Sequence, residues 1–237
     1  GLQTIGSIQN NQLEWPIDRS QSLKLLEHFC KYGLPHFGSY QDAMTEEDPF
    51  LFHSRLSFAL NAKILHPREV LDQVVQEWED RPDQISLAQV EGFVRQILGW
   101  REYIRGIYWA EMPAYSDSNA LGHKLPLPSW FWNAKTRMRC LSHSVGQSLE
   151  YAYAHHIQRL MVTGNFALLA GIAPAEVDQW YLGIYIDAIE WVELPNTRGM
   201  SQFADGGLMT TKPYISGISY VHVSYTHLRA HEPVQDI

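Results

Sequence analysis

The sequence of 237 residues has only two cysteines, fewer basic than acidic residues and no long apolar run. Because Cys30 and Cys140 lie far apart, they predict neither a disulfide framework nor, alone, a four-ligand metal site. No stretch reaches the roughly 18 to 20 apolar residues that a membrane helix needs. Residues 1–11 also lack the basic and apolar regions of a secretory signal. We therefore expect a cytoplasmic protein without a membrane partner.

The shortage of basic residues limits nucleic-acid binding. A formal net charge of -8 argues against broad, non-specific binding, which depends on neutralising phosphates with lysine and arginine. Any contact with DNA must then come from a local basic patch. The run Lys135, Arg137 and Arg139 is a candidate for such a patch, and a solvated helix face is an equally good interpretation of it.

Apolar residues recur at helical spacing through most of the chain, which predicts a nearly all-α fold in one large domain. Ser86 and Gln89 have the spacing of a capping box. Gly33, Gly164 and Pro195 are predicted to end helices. The predicted helices cover residues 22–32, 54–61, 67–78, 86–112, 144–163 and 174 to 191 or 192.

The last part of the chain has a different character. Residues 194–220 are rich in glycine and read as a long irregular segment, which usually has a functional reason inside a compact domain. Residues 223–232, VSYTHLRAHE, look like a translated library-preparation adapter. We therefore expect a helical domain over 1–222 and a non-native tail over 223–237, the alternative being a native continuation.

Four segments carry a resemblance to a known family: FHSRLSFAL at 52–60, EGFVRQILGWREY at 91–103, YAYAHHIQRLM at 151–161 and LPNTRGMSQFADGGLMTTKPYISGISYV at 194–221. Together with the chain between them, they resemble the helical FAD-binding domain of the photolyase/cryptochrome family over residues 15–222. The last segment is similar to a signature of the iron-sulfur bacterial branch, which includes the prokaryotic (6-4) photolyases. The resemblance implies a chain cut at both ends, without the N-terminal α/β domain that binds a lumazine antenna in relatives.

The resemblance implies a set of cofactor residues. Ser54 and Ser57 would contact the flavin diphosphate, although such serines are usually plain helix caps. Arg159 would pair with Asp187 beside the flavin, and Glu193 would take the position facing the reactive flavin nitrogen, N5. Of the two neighbouring histidines, His156 is favoured over His155 for proton transfer to a DNA lesion; without the family context such a pair would be structural or exposed.

The remaining roles also come from the resemblance. Trp132, Trp180 and Tyr181 would form the aromatic chain that photoreduces the flavin, although aromatics at helical spacing are more often core. Trp100, Arg101, Met200 and Tyr214 would contact the DNA or its lesion, with a core tryptophan beside a solvated arginine as the other interpretation of the first two. Arg198 departs from the pattern, where an apolar residue is expected. Cys140 would be one of four ligands of a [4Fe-4S] cluster whose other three are absent, so this chain should lack the cluster.

The resemblance implies a monomeric DNA photolyase, in which FAD excited by light transfers an electron to a flipped pyrimidine (6-4) photoproduct in UV-damaged DNA. A cryptochrome-like blue-light photoreceptor without repair is the main alternative. A metal-dependent enzyme using His143, His155 and His156 lacks matching carboxylate or thiolate spacing. The truncated chain could also be inactive or bind FAD weakly.

Overall fold

The computed structural model describes residues 13–217 and 219–220, which form two compact units. The amino-terminal unit contains residues 13–41 and 50–105, and the carboxyl-terminal unit contains residues 42–49 and the described residues from 106 onward. In the described residues the β pairing is an isolated parallel bridge between Leu125 and Ile172. The all-α prediction is confirmed. No described helix is long and apolar enough to cross a membrane.

The amino-terminal unit is built on a core of aromatic and branched side chains. Phe29, Phe37 and Phe93 make edge or tilted ring contacts with centroids 4.9 to 5.8 Å apart. Apolar burial of this kind holds the helices together. The helices are α1 (Arg19–His28), α2 (Leu34–Tyr40), α3 (Ser57–Asn61), α4 (Pro67–Asp80) and α5 (Leu87–Val94), with π-helical turns at Phe29–Gly33 and Arg95–Arg101.

Helix starts in this unit follow from local hydrogen bonding. The Asp18 side chain accepts a hydrogen bond from the backbone of Gln21 at 2.8 Å and begins α1. The predicted capping box of Ser86 and Gln89 is present at the start of α5. These side chains satisfy backbone N–H groups that have no partner within the helix.

The carboxyl-terminal unit packs around Trp180 and Phe131, which are both almost fully buried. Trp180 also donates its indole N–H to the carbonyl of Phe131 at 3.1 Å. Its helices are α7 (Arg139–Tyr151), α8 (Asn165–Leu169), α9 (Pro174–Ile184) and α10 (Glu190–Leu194), with π-helical turns at Gln158–Gly164 and Pro195–Ser201 and 3-10 turns at Ala114–Asp117 and Ser129–Trp132. The helix α6 (Glu102–Glu111) begins in one unit and ends in the other.

The three predicted helix ends are wrong. Gly33 and Gly164 each end a π-helical turn that continues into another helix, and Pro195 begins such a turn. The two glycines are needed for close packing: a Cβ would lie 2.6 Å from the Phe29 ring at Gly33 and 2.6 Å from a backbone carbonyl at Gly164. Pro195 lacks an N–H but stands at the first position of its turn, where proline is tolerated, and the side chain of Asn196 donates to the carbonyl of Val192.

Two predicted helices are each broken in the middle. The helix predicted over 144–163 stops at Tyr151, since Ala152 adopts a left-handed conformation with φ of 51°, and helix resumes at His156. The helix predicted over 174–191 is interrupted from Tyr185, which is extended. Val145 of α7 and Ala167 of α8 belong to the same core, so the apolar periodicity does not reveal the first break.

Two other boundaries differ from the prediction. The predicted helix 54–61 begins only at Ser57, because Arg55 has a positive φ of 57°. Within the predicted irregular segment 194–220, Pro195–Ser201 is helical and the irregular part starts at Gln202.

The packing of Gly199 gives a test of this fold. A Cβ at Gly199 would lie 2.7 Å from Met209 Cβ and 2.7 Å from an Asp205 oxygen, so Gly199→Ala should destabilise the protein by about 1 to 3 kcal/mol through overpacking. Gly183 in α9 has no atom within 4 Å of such a Cβ, so Gly183→Ala should stabilise by about 0.5 to 1 kcal/mol through helix propensity. Urea unfolding measures both. Equal effects of the two substitutions would contradict the assigned packing.

Candidate functional site

Most of the predicted site residues of the carboxyl-terminal unit lie at or near its two helix breaks. Residues 152–155 separate α7 from the helical residues that start at His156, and residues 185–189 separate α9 from α10. The two breaks are joined directly, because the backbone N–H of Ile186 donates to the carbonyl of Ala152 at 3.0 Å. This bond brings the segment that carries His155 close to the segment that carries Asp187.

His155 is a buried residue that organises the start of a helix. Its Nδ1 accepts a hydrogen bond from the backbone of Ile157 at 3.3 Å, and its own backbone N–H donates to the side chain of Gln158 at 2.8 Å. Gln158 in turn exchanges hydrogen bonds with the side chain of Gln147. This arrangement favours a structural role for His155, and its catalytic role stays a prediction.

His156 differs from its neighbour because its side chain is exposed. Enough protein nevertheless surrounds the ring for desolvation to lower the pKa of His156 to about 4, and the positive charge of Arg159 lowers it further. The imidazole is therefore neutral at pH 7. A neutral, accessible imidazole can accept a proton from a bound ligand and return it.

Arg159 and Asp187 form the predicted ion pair across the two breaks. Both terminal nitrogens of Arg159 reach the carboxylate, at 2.9 and 3.3 Å, and the third nitrogen donates to the carbonyl of Ala154 at 2.8 Å. The guanidinium also lies 3.8 Å from the ring centre of Tyr185. Burial alone would lower the pKa of Arg159, but the charge of Asp187 outweighs it and raises the pKa. The pair is thus charged, directional and largely shielded from water.

Two of the predicted electron-transfer residues belong to one buried aromatic cluster. Trp180 contacts Tyr181 and Tyr185 with ring centres 5.5 and 5.7 Å apart, and the two tyrosines are 5.2 Å from each other. The hydroxyl of Tyr181 donates to the backbone of Arg159 at 2.7 Å. Trp132 is 46% exposed and follows Phe131, whose ring centre is 5.1 Å from that of Trp180. Its membership of an electron path stays a prediction.

A second buried polar group lies on α9, α10 and the turn after α10. Glu193 accepts a hydrogen bond from Thr197, while its Oε2 has no partner in the described part of the chain. Arg198, noted above as a departure, donates to Asp178 at 2.7 Å in a buried ion pair and to the carbonyl of Ser118 at 2.8 Å. The unexpected arginine is therefore compensated by an aspartate that the sequence analysis did not identify.

The segment predicted to contact the lesion is held by Asp205. Its carboxylate accepts hydrogen bonds from the hydroxyl of Tyr115 at 2.8 Å and from two backbone N–H groups of its own loop, each at 3.0 Å. Met200 is buried and Tyr214 is partly buried. Contact of these two side chains with DNA stays a prediction.

The amino-terminal unit contains the predicted phosphate-binding serines. The Ser54 hydroxyl is 3.5 Å from the backbone nitrogen of Leu56, and Ser57 is the first residue of α3. Trp100 is 41% exposed, as a stacking surface requires. Arg101 is buried and donates to the side chain of Asn61 at 2.6 Å, so its placement favours bracing of α3 over contact with DNA, which stays a prediction.

One of the three basic residues Lys135, Arg137 and Arg139 is paired with an acidic residue. Arg139 forms an exposed ion pair with Glu46 at 2.7 Å, which offsets its positive charge, and Lys135 and Arg137 are also exposed. Cys140 is a partly buried free thiol in the first turn of α7. Among the described residues no group of three or more His, Cys, Asp or Glu could hold a metal ion, and this includes His143, His155 and His156.

Tyr185 and Asp178 are functional candidates that sequence reasoning missed. Tyr185 connects the aromatic cluster to Arg159, and Asp178 neutralises Arg198. Asp178 could have been anticipated, because a basic residue such as Arg198 at a position expected to be apolar requires a buried acid. The position of Tyr185 depends on the break after α9, which the apolar periodicity does not show.

The shifted pKa of His156 predicts a specific pH dependence of stability. The unfolded chain binds a proton on this residue below its ordinary pKa of 6.5, whereas the folded chain does not until about 4. Stability should therefore fall as pH drops through this window, and His156→Gln should reduce that fall. Urea midpoints measured from pH 7 to 4 test this, with the substitution His28→Gln of an exposed histidine in α1 as the control. Identical pH slopes for the two variants would refute it.

Comparison with known proteins gives one extensive match. The chain is 48% identical over 217 residues to a (6-4) photolyase of Agrobacterium fabrum, a match that covers 92% of this chain and 42% of that protein. It is 31% identical over 112 residues to an uncharacterized protein of Acanthamoeba polyphaga mimivirus, covering 47% of this chain and 84% of that protein. No protein-family model matches.

A solved structure has a similar fold. The structure is similar to that of a bacterial class III photolyase from Agrobacterium tumefaciens, with a TM-score of 0.72 and 16% identity, covering 92% of this chain and 45% of the other. At that identity the likeness establishes the helical fold, and the curated relative supplies the sequence relationship. The chain belongs to the photolyase/cryptochrome family.

Proposed function

We propose that the protein repairs pyrimidine (6-4) photoproducts in UV-damaged DNA by light-driven electron transfer from FAD. The observation that carries this proposal is the arrangement of a neutral, accessible His156 beside a buried Arg159–Asp187 ion pair. The imidazole of His156 suits proton exchange with a lesion, and the Arg159–Asp187 ion pair suits a fixed contact with a polar cofactor. The similarity to a (6-4) photolyase supports the same function, although the chain spans only 42% of that relative.

The residues of the carboxyl-terminal unit fit a flavin. The buried Oε2 of Glu193 has no partner among the described residues, and a bound ligand with a hydrogen-bonding atom would supply one. Arg159, Asp187 and Glu193 would hold the flavin. Contact of Ser54 and Ser57 with the flavin diphosphate stays a prediction. When bound, the flavin supplies the light-driven electron.

The chain's own residues then have separate tasks. Arg159 is fixed by Asp187, by the carbonyl of Ala154 and by the ring of Tyr185, so it loses little conformational freedom when a ligand binds. His156 takes up a proton at a ring nitrogen and returns it. The exposed Trp132 and the buried Trp180 and Tyr181 suit an electron path from the surface to the interior, because indole and phenol rings are readily oxidised.

An iron-sulfur cluster does not fit this chain. Such clusters require four cysteine thiolates, and the sequence contains only Cys30 and Cys140. Cys30 is buried in the core of the amino-terminal unit, where burial raises the pKa of its thiol to about 12. No step of the proposed function therefore uses a cluster.

Flavin binding is tested with the purified chain. We expect oxidised flavin absorption bands after incubation with FAD, and weaker flavin retention for Asp187→Asn. That change leaves a buried arginine without its counter-charge, which costs about 3 to 5 kcal/mol. Glu190→Gln, an exposed carboxylate on α10, is the matched control and should bind FAD as the unmodified chain does. Equal FAD affinity in both variants would argue against the assigned cofactor contact.

Repair is tested by illuminating the FAD-loaded, reduced chain with DNA that contains (6-4) photoproducts. His156→Ala should lower the repair rate by about 10² to 10⁴-fold, the usual contribution of a general acid–base group, while flavin content stays constant. His28→Ala, an exposed histidine of α1, should repair normally. A light-driven redox change of the flavin without any loss of lesions would favour a photoreceptor instead.

A further inference from the structure

Arg198, which departs from the family pattern, joins three segments of the carboxyl-terminal unit. The residue is buried, with 6% of its surface exposed. From the turn Pro195–Ser201 its Nε donates to Asp178 of α9 at 2.7 Å, and a terminal nitrogen donates to the carbonyl of Ser118 at 2.8 Å. A guanidinium is a planar fork with fixed donor directions, so this one side chain can hold both partners in a defined arrangement.

Residues 202–217, which we call the carboxyl-terminal loop, begin at these contacts. The backbone carbonyl of Arg198 accepts a hydrogen bond from the N–H of Ala204 at 2.6 Å, and the carbonyl of Ala204 accepts one from the N–H of Ala120 at 2.8 Å. The guanidinium therefore holds the stretch of chain around Ser118, and the start of the loop is bonded to that same stretch through its backbone.

Two further sets of contacts fix the carboxyl-terminal loop. Near its start, the Asp205 carboxylate accepts a hydrogen bond from the hydroxyl of Tyr115 at 2.8 Å. Near its end, the backbone of Ser216 exchanges two hydrogen bonds with the side chain of Asn165, at 3.1 and 3.2 Å, and the Ser216 hydroxyl donates to the carbonyl of Met161 at 2.8 Å. Because both ends are fixed, the residues between them have few conformations available.

The ion pair of Arg198 and Asp178 is charged at neutral pH. Burial raises the pKa of Asp178, but the guanidinium beside it limits this pKa to about 6. Removing either partner alone would leave a buried charge without its counter-charge, whereas removing both partners would not. Replacing the two residues together therefore separates the stability of the pair from its effect on the loop.

We propose that Arg198 is a positioning residue for damaged DNA, which acts by ordering the carboxyl-terminal loop before DNA binds. The loop contains Tyr214, and Met200 lies in the same turn as Arg198; both side chains are predicted to contact the lesion. A loop that is already ordered loses less conformational freedom on binding. The contact of this loop with a lesion rests on the proposed function, whereas the ordering of the loop by Arg198 does not.

Hydrogen exchange of the purified chain, measured by mass spectrometry without flavin or DNA, tests the ordering. In the double variant Arg198→Leu/Asp178→Leu the urea midpoint should stay close to that of the unmodified chain, since apolar residues often replace a buried ion pair without loss of stability. The amides of the carboxyl-terminal loop should nevertheless exchange about tenfold faster, because the bond to Ser118 is lost. Unchanged exchange in the loop would overturn the proposal.

Two controls separate a local effect from a general loss of stability. Exchange in residues 67–80, which form α4 in the other unit, is the internal reference and should not change. The matched double variant Arg68→Leu/Asp72→Leu removes an exposed ion pair of α4 and should leave the carboxyl-terminal loop as it is. A loop that exchanges equally fast in both double variants would contradict the assigned contact.

A single variant decides the question if the double variant does not fold. Arg198→Lys keeps a positive charge beside Asp178 but lacks the planar fork that reaches two partners. The carboxyl-terminal loop should therefore still exchange faster than in the unmodified chain. Exchange at the unmodified rate would refute the role of Arg198.

Binding of damaged DNA tests the consequence of the ordering. We expect the double variant to bind a duplex with a (6-4) photoproduct about tenfold more weakly in the dark, measured by fluorescence anisotropy, because its loop must be ordered on binding. Under illumination the repair rate at saturating DNA should change less than this affinity. Equal affinities of the variant and the unmodified chain would exclude the positioning role.

The outcome is separable from the proposed function. A chain that repairs lesions but whose loop exchange does not depend on Arg198 disproves only the present inference. A chain whose loop exchange and affinity for damaged DNA depend on Arg198, but which repairs no lesions, disproves only the proposed function.

Discussion

The bidentate ion pair between Arg159 and Asp187 is the contact on which the arrangement of the carboxyl-terminal unit depends. Arg159 lies in the helical turn Gln158–Gly164 and binds Asp187 in one unwound stretch and the carbonyl of Ala154 in the other. The same guanidinium covers the ring of Tyr185. Such a pair is costly to bury, so its geometry must be close to ideal. The helix breaks allow this geometry, because they turn Asp187 out of the axis of α9.

Much of the fold follows from the sequence, because helical periodicity and caps are local properties. The all-α class, the capping box at Ser86 and the start of α4 at Pro67 are confirmed. The interruptions at 152–155 and 185–189 could not be predicted, since the apolar pattern continues on both sides of each. Gly33, Gly164 and Pro195 show that residues which usually end a helix can instead belong to π-helical turns. At the two glycines the neighbouring atoms leave no room for a side chain.

The candidate site could be predicted where the family resemblance named both a residue and its partner. The pairing of Arg159 with Asp187 is present, and Trp180 and Tyr181 are in contact. The sequence could not predict that His155 is buried and His156 exposed, because this difference depends on where the helix resumes. Likewise, the acid that balances Arg198 comes from a helix 20 residues earlier, a separation that no local pattern reports.

The hydrogen bond between Ile186 and Ala152 has an evolutionary consequence. Since each unwound segment uses the backbone of the other, a one-residue insertion between the bonded residue and its neighbouring helix would displace one partner and strain the bond. The lengths of the two segments should therefore be inherited together. Side chains around the two segments can diverge. The bond between them is made by backbone atoms, so among substitutions only proline at Ile186, which lacks an N–H, would remove it.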